Sequence, residues 1–110
     1  MGIEQVKDEI DEIVKAILSA VPALEIYLFG SFANGTARED SDLDFYVVIP
    51  DGGLHAIEAT WAVESAIPRK IRGKIPIDML VRPKSNFDKY KTSLSFVERD
   101  VSNKGVKLYG

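Results

Sequence analysis

The sequence contains no cysteine. Disulfides and thiolate zinc sites are therefore excluded, and nothing points to an oxidising compartment. There is one histidine, His55, which follows the Gly52-Gly53 turn. No serine or cysteine partner is specified for it, so a surface histidine is the expectation rather than a general base. Long apolar runs are also missing, and none approaches the ~20 residues that a membrane span requires. The start, MGIEQVKDEIDEIV, is charged and has no apolar signal core. The expected compartment is the cytoplasm. Charge of either sign is modest, with a formal net of −3. That argues against broad phosphate-backbone binding, because a nucleic-acid-binding surface is usually basic. A local cluster, Arg69, Lys70, Arg72 and Lys74, reads as a solvated turn before a strand. Internal repeats, linkers and low-complexity segments are absent.

What is present suits a soluble globular chain. Its 110 residues are 45% hydrophobic and 28% charged, enough for one domain over residues 1–110 and too few for two. A core of that size is compatible with a permanent partner or a homo-oligomer but does not demand one.

Hydrophobic periodicity sets the element order. Ile3, Val6, Ile10, Ile13, Val14, Ile17 and Leu18 recur at helical spacing, which predicts an amphipathic helix over 3–20 that stops before Pro22. Ile26–Phe29 reads as a buried strand ending at a glycine, and Gly30–Asp40 as a loop with room for one helical turn. Leu43–Ile49 is a second strand, closed by the turn Pro50-Asp51-Gly52-Gly53. Leu54–Ile67 reads as a helix with Leu54, Ile57 and Trp61 on one side, which predicts core packing for Trp61. Lys70–Lys74 is a basic connector. Ile75–Val81 is a third strand, with Ile75, Ile77, Met79 and Val81 alternating against Pro76, Asp78 and Leu80. Ser85 is placed to cap a last helix over 86–102, with Tyr90, Leu94, Val97 and Val101 along one stripe. Asn103-Lys104-Gly105 stops it, and Val106–Tyr109 is an extended tail that can dock on the domain. Helix, strand, loop, strand, helix, strand, helix is an α/β or α+β layered domain.

The chemistry lies in the stretch from Gly30 to Asp44. Gly30-Ser31 follows directly on a strand, and glycine lets the backbone turn sharply and approach a ligand. A helical turn starting there would aim free N–H groups at phosphate, though a glycine-bearing loop alone is weak evidence. Asp42 and Asp44 lie two apart at the start of a strand, so alternation sends both carboxylates to one face, with Cα atoms ~6.5–7 Å apart. Leu43, Phe45, Val47 and Ile49 then face the core. Two carboxylates pointing together repel unless a cation sits between them, and Mg²⁺ is a hard ion commonly held by one or two carboxylates plus substrate phosphates. Taken alone, an Asp-x-Asp pair is as well explained by a polar turn. Asp78 interrupts an apolar strand with the opposite parity to its core residues; beside the Asp42/Asp44 strand it would complete a three-carboxylate site, whereas on an edge strand it would simply face water. Tyr46 projects to the face of the two aspartates, where it either stacks on a nucleotide base or covers the sheet.

Gly-Ser, ten residues, then Asp-x-Asp resembles the signature of the DNA polymerase beta-like nucleotidyltransferase superfamily. The surrounding GSFANGTAREDSDLDFYVVI is similar to its minimal nucleotidyltransferase (MNT) branch, which includes antitoxins paired with HEPN-domain toxins. The leading helix, the strand IPIDMLV and the closing GVKLYG extend the likeness over nearly the whole chain. The resemblance implies a small mixed sheet with helices packed mainly on one face and carboxylates on the other. It implies that Gly30 and Ser31 grip the terminal phosphates of a nucleoside triphosphate such as ATP. Asp42, Asp44 and Asp78 would then be metal ligands for Mg²⁺, with Asp78 also helping to deprotonate an acceptor hydroxyl. Many relatives carry Arg where this chain has Asn34, and Arg38 is the remaining candidate for a phosphate-facing cation. Larger members bind the acceptor with a second domain, so an acceptor site built only from these residues is not expected.

Three functions follow from the resemblance. The first is transfer of a nucleoside monophosphate, AMP from ATP, to a hydroxyl on a partner protein such as a HEPN toxin. The second is a non-catalytic antitoxin that acts by binding. The third is an antibiotic nucleotidyltransferase acting on a small hydroxylated molecule.

Overall fold

In the computed structural model, which describes residues 2–93 and 96–110, four strands form one mixed sheet in the order β3-β2-β1-β4. The strands are β1 (Glu25–Phe29), β2 (Leu43–Ile49), β3 (Ile77–Pro83) and β4 (Val106–Tyr109). β1 runs antiparallel to both β2 and β4, whereas β2 and β3 are parallel. A parallel pair needs a long crossover. Here helix α3 (Ala56–Ala66) and the single turn α4 (Arg69–Arg72) provide it. The tail expected to dock does so as the edge strand β4.

β2 is the centre of the molecule, and its alternation makes two cores. Phe45, Val47 and Ile49 point to one face and pack with Ile26 and Leu28 of β1 and Met79 and Val81 of β3. Helix α1 (Lys7–Ala20) covers that face with Ile10, Ile13 and Ile17, and α3 adds Ala59 and Val63. Tyr46 and Val48 point the other way, into a smaller cluster with Phe87 of α5 (Lys84–Tyr90) and Val101 of α6 (Val97–Lys104). Helices therefore lie on both faces. On the second face they leave uncovered the end where β2 and β3 begin.

Several elements depart from the sequence expectations. The helix over 3–20 begins as a 3-10 turn, Ile3–Val6, before α1. β3 starts at Ile77 rather than Ile75 and runs to Pro83. The connector Lys70–Lys74 overlaps the turn α4, tied down by buried Ile71, and its lysines pair with the acidic face of α1. Lys74 Nζ lies 2.7 Å from Glu9 Oε2 and Lys70 Nζ 3.7 Å from Glu12 Oε1.

Trp61 is not a core residue. It is 61% exposed, as is Ile57, and Leu54 precedes the helix and is exposed as well. The small residues of α3, not the large ones, meet the sheet: Ala59 and Val63 are fully buried. A helix that lies close to α1 and β3 has room only for short side chains.

The last helix is two helices. α5 ends at Tyr90, α6 begins at Val97, and Leu94 of the expected stripe lies outside the described residues. The break lets Phe87 and Val101 both reach the sheet. Ser85 is not a cap, since Pro83 holds that position. Instead Asp51 accepts from the Ser85 N–H (3.2 Å) and Oγ (2.9 Å), tying the turn after β2 to α5. Among the described residues no helix is long and apolar enough to cross a membrane.

Candidate active site

Cross-strand register brings the acids together. In the parallel pair Asp44 of β2 stands opposite Asp78 of β3, and in the antiparallel pair Phe29 of β1 stands opposite Asp44. Phe29, Asp44 and Asp78 thus form a row across three strands at the uncovered end of the sheet. Asp42 lies just before β2, close enough for its charge to act on Asp44. Asp44 is half-buried, while Asp42 and Asp78 are exposed. β3 is an edge strand, so Asp78 is not forced into an apolar interior; its register with Asp44 is what makes it notable.

The electrostatics follow from this crowding. Burial, then the charge of Asp78, then that of Asp42 push the Asp44 carboxyl up to about 6. Like charges gathered around a partly desolvated carboxylate create demand for a cation. The donors are all hard oxygens and two of the three carboxylates are open to solvent, which suits Mg²⁺ shared with phosphate oxygens and water. Among the described residues no three acidic side chains are drawn together tightly enough to cage an ion by themselves. The residues fit an ion held jointly with a ligand, not a closed protein cage.

The glycine loop is built against the same carboxylate. Gly30 has φ 76° and ψ −154°, a conformation essentially reserved for glycine. A Cβ there would overlap the Asp44 carboxylate. The chain then enters the single turn α2 (Ser31–Asn34), anchored by buried Phe32 and ended by Gly35 in the left-handed conformation. Ser41 steadies the rest of the loop by accepting from the Arg38 N–H at 2.7 Å. The Arg38 side chain is exposed and makes no ion pair among the described residues. The structure does not bring it to the acids.

Tyr46 shares the face of Asp44 but is fully buried, so stacking on a nucleotide base is ruled out. Its hydroxyl donates to Glu98 Oε2 at 2.8 Å, and its ring packs 5.3 Å from that of Phe87. Glu98 is itself buried. This bond pins α6 over the sheet beside the site, a contact between residues 52 apart that no local pattern signals. His55 is exposed at the start of α3.

The family model described as nucleotidyltransferase domain matches residues 8–107. The chain belongs to the nucleotidyltransferase domain family. It is a nucleotidyltransferase, and the mixed sheet is that fold. Solved structures agree. A protein assigned as a nucleotidyltransferase from Sulfolobus solfataricus superposes with a TM-score of 0.63 at 22% identity, covering 94% of this chain and 78% of that one. A toxin–antitoxin crystallised with AMP-PNP gives a TM-score of 0.64 at 25% identity, covering 91% and 72%. A double Asp-to-Glu mutant of the toxin–antitoxin MntA-HpeT gives 0.63 at 22%, with the same coverage. Among curated proteins none matches the chain in sequence.

Proposed function

We propose that this nucleotidyltransferase, acting as one domain over residues 1–110, moves AMP from ATP to a hydroxyl on a partner protein. The observation that carries the reading is the register of Asp44 with Asp78, with Asp42 beside them and the Gly30 backbone against Asp44. The acceptor oxygen forms a bond to the α-phosphorus, the bond from that phosphorus to the bridging oxygen breaks, and pyrophosphate leaves. Asp78, exposed and unpaired among the described residues, takes the acceptor proton. Asp42 and Asp44 would hold Mg²⁺, which supplies charge neutralisation for the polyphosphate when bound. Gly30 and Ser31 position the phosphates. Such chemistry consists mainly of positioning and electrostatic stabilisation, so a short loop and three acids are a sufficient set.

The acceptor is read as a protein because one similar structure is a toxin–antitoxin crystallised with AMP-PNP, and as a helical toxin of the HEPN type because of the sequence resemblance alone. The test is calorimetric titration with ATP, with and without Mg²⁺, beside Asp42→Asn. Mg²⁺-dependent binding that the variant loses supports the reading. Binding that is unchanged in Asp42→Asn and Asp44→Asn defeats the site assignment. Incubation with labelled ATP and the partner then separates transfer from an antitoxin that acts by binding alone.

A further inference from the structure

A polyphosphate chain bound through Mg²⁺ at Asp42 and Asp44 would retain negative charge, and the glycine loop offers little to meet it. The loop residue nearest in sequence is the neutral Asn34, and Arg38 is exposed without a partner. A cavity of ≈ 240 Å³ has Gly30 in its wall. It is lined by Phe29, Gly30 and Asn34 from the loop side and by Val97, Asp100 and Lys104 from α6. Gly30 therefore belongs to two surfaces: it touches the Asp44 carboxylate and it walls this cavity. Phe29, the register partner of Asp44, is shared in the same way. Lys104 is the one cation among the cavity's lining residues, and its ammonium makes no ion pair among the described residues. α6 is held in place by the buried Tyr46–Glu98 hydrogen bond and by Val101 in the second core.

We infer that α6 forms the outer wall of the nucleotide site and that Lys104 binds the terminal phosphates of the nucleoside triphosphate. The inference rests on the nucleotide reading above and adds a contact from a segment some seventy residues away from the glycine loop. Asp100 makes the occupant testable. It faces the same cavity and is exposed. A phosphate occupant is repelled by that carboxylate, whereas a sugar hydroxyl or base amine would donate to it.

The experiment titrates the wild-type chain and the variants Lys104→Gln, Lys104→Arg and Asp100→Asn with Mg·ATP and with AMP. Lys104→Gln should weaken Mg·ATP about fivefold, the scale of one exposed charge contact, and leave AMP unchanged. Lys104→Arg should restore most of the loss, and Asp100→Asn should tighten Mg·ATP. Wild-type binding of Mg·ATP with Lys104→Gln indistinguishable from it overturns the inference while sparing the nucleotide reading. Weaker binding of both ligands in Asp100→Asn overturns it in favour of a nucleoside in the cavity. No Mg·ATP binding by the wild-type chain overturns both.

Discussion

The backbone of Gly30 lies so close to the carboxylate of Asp44 that no side chain fits between them. Gly30→Ala must therefore both adopt a positive φ and displace Asp44. The variant should lose about 2 kcal/mol of stability or more, and Mg²⁺-dependent ATP binding with it. Urea unfolding and calorimetry check the two effects separately. Retained ATP binding would show that the glycine is a structural turn only.

Asp44 carries a penalty in the metal-free protein. Its carboxyl titrates near 6 in the folded chain, above the ~4 expected when unfolded. The native state thus holds the proton more tightly, and stability falls as pH rises from about 4 to about 6. Asp44→Asn should therefore stabilise the metal-free protein at pH 7 by about 1 kcal/mol, after allowance for solvent screening, and the gain should vanish near pH 4. Thermal melts across that range in chelator measure it. A destabilised variant at pH 7 would mean that the carboxylate makes a favourable contact that outweighs the repulsion.

Asp78→Asn should separate chemistry from binding. If Asp78 takes the acceptor proton, transfer falls by about 100-fold or more while Mg·ATP affinity changes little. Single-turnover rates set beside calorimetry give the comparison. An equal loss of both would make Asp78 chiefly a metal ligand.

The Tyr46–Glu98 bond is predicted to be the support of α6. Burial and the adjacent Glu98 carboxylate hold the Tyr46 phenol protonated, far above its ordinary range. Tyr46→Phe leaves Glu98 buried without its donor and should cost about 1.5–3 kcal/mol. Adding Glu98→Leu should recover part of that loss, because two apolar partners need no hydrogen bond. A larger loss in the double variant would show that Glu98 has another structural task.

Trp61 and Val63 provide a contrast on α3. Trp61→Ala removes the larger side chain but should change stability by no more than about 0.5 kcal/mol, since it stands mostly in water. Val63→Ala removes a fully buried side chain and should cost about 1–2 kcal/mol or more. Denaturant melts of the pair test the orientation of the helix.

The failure of the sequence on Trp61 has a physical source. Leu54, Ile57 and Trp61 share one side of a helix, and apolar periodicity cannot tell a side that meets the sheet from one that meets solvent. The sheet selected Ala59 and Val63 because the helix packs closely. The last helix failed differently: its apolar stripe continues through Ser93, but only the tertiary structure shows that two short helices seat Phe87 and Val101 in one cluster. Lys104 carried no signal beyond a helix stop and Asp100 none at all, because the cavity they share with Gly30 is a matter of proximity in space and not of spacing along the chain.

The sequence by itself determined the order of the first three strands and the helices between them, the two faces of β2 and the acids worth watching. These are local matters: alternation along a strand, a glycine after a strand, two aspartates two residues apart. The tertiary structure decided which of them meet. Asp44 faces Asp78 because a crossover through α3 and α4 sets a parallel register, Tyr46 is closed off because α5 and α6 fold over it, and Gly30 touches Asp44 because β1 and β2 are antiparallel neighbours. Pairing and packing are non-local, so they emerge only when the whole sheet has formed.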